Sequence, residues 1–113
     1  MRRMPARWLP HKVTVKPFRG VGGAGPIFGE PFDLDPADGR GVYLEDAREV
    51  VVDGDGTEVV SETRFFCNFD DAPPEKSRVV VWVGTAFERE APVVRVGRFH
   101  HPNWPGFAEV RLA

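Results

Sequence analysis

Cysteine is the scarcest reactive residue in this sequence. The 113 residues hold one, Cys67, so no disulfide can form within the chain. Cys67 lies in a strand-like run, where a thiol is expected to be buried and unreactive, and such usage fits a reducing compartment. Long apolar runs are missing too. None approaches the roughly 20 residues that cross a bilayer as a helix. The opening Met1-Arg2-Arg3-Met4-Pro5-Ala6-Arg7-Trp8 is basic but lacks an apolar stretch of signal-peptide length. The expectation is a soluble intracellular product with no membrane partner. Neither sign of charge dominates: fifteen Lys and Arg face seventeen Asp and Glu, a formal −2. That balance supplies no global basic field to hold nucleic acid.

Catalytic and metal-binding constellations are also lacking. The histidines are His11, His100 and His101. Adjacent positions in an extended chain point to opposite faces, and no Cys, His or acidic pair at ligand spacing accompanies His100 and His101. Gly20-Val21-Gly22-Gly23-Ala24-Gly25 matches G-x-G-x-x-G in letters, but Pro26 follows where the phosphate-binding helix should begin. Asp53 and Asp55 resemble the start of a calcium loop, yet Thr57 and Glu58 stand where an oxygen ligand and a glycine belong. The reading is no enzyme, no catalytic residue, no metal and no cofactor.

Twelve glycines and eleven prolines punctuate short Val-rich runs, as in an all-β chain with many turns. The length fits one domain, residues 1–113. Residues 1–10 read as an irregular arm, either a frayed terminus or a docking arm that orders on a partner. In residues 11–16 Val13 and Val15 alternate with Lys12, Thr14 and Lys16, which predicts a half-buried strand. Residues 18–40 read as a flexible Gly/Pro-rich loop pinned by Phe28 and Phe32. Residues 41–46 predict a strand with Val42 and Leu44 on one face. Residues 46–49 allow one helical turn, but the valines that follow favour strand.

The dominant feature is residues 48–69. Val50-Val51-Val52 and Val59-Val60 flank Asp53-Gly54-Asp55-Gly56-Thr57-Glu58. Asp-Gly pairs supply the positive φ of a tight turn between β-prone arms. Ser61, Thr63, Phe65, Cys67 and Phe69 share one face with Val59, so the base belongs to the core. The expectation is a hairpin projecting beyond a compact body, with its acidic tip wet or facing a channel. Further strands are expected at residues 78–83, with apolar side chains on both faces, at 92–100 and at 107–112. Residues 84–91 read as a turn and 100–106 as a loop. The fold expected is all-β, a small, mostly antiparallel β-barrel or sandwich of about six or seven strands with little or no helix.

Several stretches occur in a familiar order. They are His11-Lys12-Val13-Thr14-Val15, the Gly-rich segment, Val42-Tyr43-Leu44-Glu45-Asp46, and residues 51–61. The Pro-rich link 73–77 into 78–83, Pro92-Val93-Val94-Arg95-Val96 and Glu109-Val110-Arg111-Leu112-Ala113 complete the series. Across nearly its whole length the chain resembles the head-to-tail stopper (head closure, or neck) proteins of long-tailed phages of actinobacteria. The resemblance implies a structural virion protein in the neck between head and tail, assembled in the host cytoplasm. It implies a ring of about six or twelve copies with closed symmetry. The adaptor and portal would lie above it, and the tail terminator and tail tube below. Double-stranded DNA would pass through without sequence-specific contact. In stoppers a loop or hairpin gates the DNA channel; here residues 50–60 match that role. An acidic tip repels phosphate, so the block would be steric. Arg3, Arg7, Trp8 and Leu9 of the arm, and Val80 and Trp82 of the two-faced strand, are the candidates for inter-subunit or adaptor contact. Two other readings stand beside this one: a tail terminator or other minor tail ring protein, and a small β-barrel binding module.

Overall fold

The computed structural model describes residues 2–113. They form nine strands and two single 3-10 turns, with no α-helix among the described residues. β1 (Val13–Lys16) buries Val13 and Val15 and leaves Thr14 and Lys16 partly exposed, the side-chain alternation of a strand with one face on the core. β2 (Phe18–Gly22) and β3 (Gly25–Phe28) form a separate ribbon, and β4 (Phe32–Leu34) returns to pair with β1, Val13 opposite Leu34. β5 (Tyr43–Val52), β6 (Glu58–Asn68), β7 (Arg78–Val81), β8 (Arg89–His101) and β9 (Trp104–Leu112) follow. One antiparallel sheet runs β4-β1-β7-β8-β9-β6-β5. The chain just before β1 meets the chain just before β5 at a single bridge, where His11 and Val42 exchange backbone hydrogen bonds of 2.8 and 2.9 Å. This contact curls the sheet toward a small barrel while leaving the rest of β5 as an edge.

The inward faces are apolar and β-branched. Val13, Val15, Leu34, Val42, Leu44, Phe65, Val79, Val81, Val110 and Leu112 make one core cluster. Phe65, on β6, is the largest fully buried side chain. The expected faces of residues 59–67 are observed: Ser61, Thr63, Phe65 and Cys67 are buried, and Glu62, Arg64 and Phe66 point outward.

Three expectations need correction, and one choice left between two readings is settled. Residues 18–40 are not a flexible loop. Gly22 pairs with Gly25 across a two-residue turn, and Pro26 is accommodated because β3 pairs with β2 alone, leaving one side that needs no N–H donor. The strand expected at 78–83 ends at Val81, because Trp82 takes a left-handed φ of +55° and turns the chain. Residues 46–49 stay in β5, the strand reading that the following valines favoured, with a bulge between Asp46 and Glu49. The arm is ordered by its own barrel: the Met4 N–H donates to Asn68 Oδ1 at 2.7 Å, and the Gly106 N–H donates to the Arg2 carbonyl.

Candidate functional site

The β5–β6 hairpin carries the residues assigned to a gate. Its turn is closed by Asp53, whose Oδ1 accepts from the N–H groups of Asp55 and Thr57, each at 2.9 Å. Gly56 supplies the positive φ of +81°, which a side chain would oppose. β9 pairs with β6 only between Thr63 and Asn68, so the arms from Glu49 and Ser61 to the turn lie past the end of β9. Val51 faces inward and is buried, while the cross-strand pair Val50 and Val60 faces out, 61% and 41% exposed, with Val52 and Glu58 beside it.

The tip is wet, as expected, with Gly54 to Glu58 exposed, but it is not isolated from the body. It leans on the link before β7. A Cβ at Gly54 would overlap the Glu75 carboxylate, and Lys76 Nζ lies 3.8 Å from Asp55 Oδ2. A cavity of about 210 Å³ separates Asp53, Gly54 and Asp55 from Pro92 and Val93. The contact is light, since both ionic partners are mostly exposed and such pairs contribute about 0–1 kcal/mol.

The base of the hairpin is held more firmly. Asp46 Oδ1 accepts from Thr63 Oγ1 at 3.0 Å and from Trp82 Nε1 at 3.1 Å. Arg89 donates to Thr63 Oγ1 and to the Ala113 carbonyl. Arg111, 2% exposed, donates from Nη2 to the Ala47 carbonyl at 2.9 Å, while its Nε and Nη1 find no hydrogen-bond partner among the described residues. Desolvating a guanidinium this far costs stability unless it is paired, and Glu49 at 3.4 Å supplies the opposite charge.

The six candidate contact residues divide. Trp8 is exposed beneath the Arg7 guanidinium. Arg3 pairs with the buried Asp71 at 2.9 Å. Leu9 is buried in its own barrel and offers no contact surface, and its carbonyl passes so close to Gly41 that a Cβ there would overlap it. Val80 is partly buried opposite Thr14. Trp82 packs on the core cluster and edge-on to His11, at 5.8 Å between ring centroids. The structure therefore leaves Trp8 and Arg7 outward and ties the other four, wholly or partly, to the barrel.

Sequence reasoning missed a second hairpin. Residues 100–106, read as a loop, are the tip of β8–β9, where His101 pairs with Trp104. Phe99 stacks on Phe107 at 4.9 Å, and Phe107 lies 6.1 Å from Phe66, a row of rings across three strands. Trp104 is 66% and Phe99 48% exposed. Arg2 donates to the Asn103 carbonyl at 2.8 Å and braces the turn. The Pro102-Asn103 turn dipeptide between two strand-like runs was the available signal.

Among the described residues no three His, Cys, Asp or Glu groups gather closely enough to hold a metal ion. No described helix is long and apolar enough to cross a membrane. Cys67 is buried as expected; burial, and then the charge of Asp71, push its thiol up to about 12, which removes the thiolate needed for reaction. The surfaces on offer are two exposed hairpins, one acidic with valines and one basic with aromatic rings. Comparison with family models, curated proteins and solved structures finds no match to this chain.

Proposed function

We propose that this chain is a subunit of a head-to-tail stopper ring, a virion neck protein that closes a DNA-filled phage head and receives the tail. The observation that carries the reading is the β5–β6 hairpin. It leaves the sheet beyond β9 with Val50, Val52 and Val60 outward, an apolar face that a lone barrel has no use for and that neighbouring copies would bury. The all-β barrel and the order of its segments agree with the resemblance, and the absence of an α-helix among the described residues weighs against a tail terminator, which usually packs helices on its sheet.

In this reading residues 50–60 form the gate and Asp53–Gly56 its tip. The five carboxylates between residues 49 and 62 would repel passing phosphate, so closure is steric and an opened gate lets DNA slide. The tip's light contact with Glu75 and Lys76 can be released at small energetic cost, as a movable element requires. Deleting Asp53–Gly56 and rejoining the arms tests this role in particles that otherwise assemble. The expected outcome is rings and tails of normal form around heads that leak DNA. Full retention of DNA would contradict it.

A further inference from the structure

The two hairpins are complementary, and one chain cannot bring them together. Residues 49–62 hold five carboxylates and no basic residue; residues 97–107 hold Arg98, His100 and His101 and no carboxylate. The first surface adds the exposed valines 50, 52 and 60. The second adds exposed Trp104 and Phe99 around an open cavity of about 500 Å³ lined by Arg98, His101 and Phe107. The register sets their places. The β5–β6 turn lies past the Leu112 end of β9, and the β8–β9 turn lies past its Phe107 end, roughly 17 Å apart at strand spacing before either overhang is counted. Both surfaces also carry unpaired backbone. β5 is a sheet edge, and β8 beyond Val93 has β9 as its only strand neighbour among the described residues. Open edges accept strands from other chains.

We propose that the β8–β9 tip of one copy receives the valine-faced, acidic β5–β6 hairpin of a second copy. The contact is head to tail, so it propagates to a ring or a stack rather than stopping at a symmetric dimer. Trp104 and Arg98 are its anchors, since buried Trp and Arg dominate interface energetics, and Val50 and Val60 fill the apolar side. The inference goes beyond the neck reading, because it requires only a second copy and no capsid.

The test uses the full chain and two double variants. Arg98→Glu with Trp104→Ser spoils one surface; Val50→Lys with Val60→Lys spoils the other. Should either lose its fold by circular dichroism, the single changes Trp104→Ala and Val60→Thr replace them. Amide NMR spectra are recorded at low salt up to about 1 mM, where even weak association is populated. The expected result is concentration-dependent shifts at both tips, weakened by added salt. Each variant alone should associate at least about tenfold more weakly. An equal mixture of the two should recover a dimer, because each retains one intact surface. Absence of concentration-dependent shifts, shifts that map elsewhere, or a mixture no stronger than its components would overturn the proposal. Phage heads that keep their DNA without this chain would remove the neck reading and leave this contact standing.

Discussion

The β5–β6 and β8–β9 hairpins grow from adjacent strands of one sheet and differ in almost everything beyond their base. The first closes its turn with its own polar groups, Asp53 satisfying two N–H donors, and spends its side chains on acids and valines. The second turns through Pro102-Asn103, where the Asn103 N–H donates to His101 Nδ1 at 3.1 Å, adds a brace from Arg2, and presents stacked rings beside Arg98. The lesson is that register decides where a tip lies, whereas the composition of the overhang decides what it can hold. The shared base, β6 against β9, explains why two such different tips coexist. Phe65, Cys67, Ala108 and Val110 bury the core-facing sides of both strands, so the overhangs are free to vary.

The largest test of that comparison attacks the common base. Phe65→Ala should cost about 3–5 kcal/mol, because a fully buried ring leaves a cavity. Urea denaturation should show both hairpins lost in one transition. Survival of the ring signals of Phe99 and Trp104 after β5–β6 has melted would mean that the tips are separate units.

Asp53→Ala separates the tips. It removes the acceptor for two turn N–H groups, and a loss of about 1 kcal/mol is expected. Hydrogen exchange should accelerate at Asp55 and Thr57 and stay unchanged at residues 98–107. Smaller again is the acid response of the barrel wall, which involves neither tip. Hydrogen bonds from Lys16 and Arg78 hold Glu90 below its ordinary 4.5, and one from Thr14 lowers Asp33 from 3.8. Folded values below unfolded ones contribute stability above those unfolded values and lose it as pH falls. Thermal melts should therefore be level from pH 7 to about 5 and fall below about 4.5, and Glu90→Gln should flatten the fall. The smallest effect belongs to Lys76→Ala, which removes the exposed contact to Asp55 and should change stability by no more than about 0.5 kcal/mol. It should instead raise the mobility of the β5–β6 tip, read from amide relaxation, without touching β8–β9.

Where a physical rule acts on neighbouring residues, the sequence was readable. Val13 and Val15, Val42 and Leu44, and the buried face from Ser61 to Cys67 followed from period-two alternation, and the all-β class followed from them. Asp53-Gly54-Asp55-Gly56 announced its turn. What was not readable depended on partners far along the chain or on backbone angles. Leu9 is buried at a place where its backbone carbonyl passes close against Gly41, some thirty residues away. Trp82 ends β7 through a positive φ, which no propensity predicts for tryptophan. β2 and β3 were hidden because glycine and proline are poor strand formers, and an edge ribbon tolerates them. At the candidate site, the acidic hairpin was visible from its turn. Its contact with Glu75 and Lys76 was not, and the aromatic tip was obscured by reading His100, His101 and Pro102 as loop.

The central claim, that this chain closes a DNA-filled head, is tested most directly by electron microscopy of particles made by a phage lacking its gene. The account predicts tailless heads that have lost their DNA, beside free tails of normal length. Heads that hold their DNA, with tails absent or wrong in length, would contradict it and move the chain into the tail.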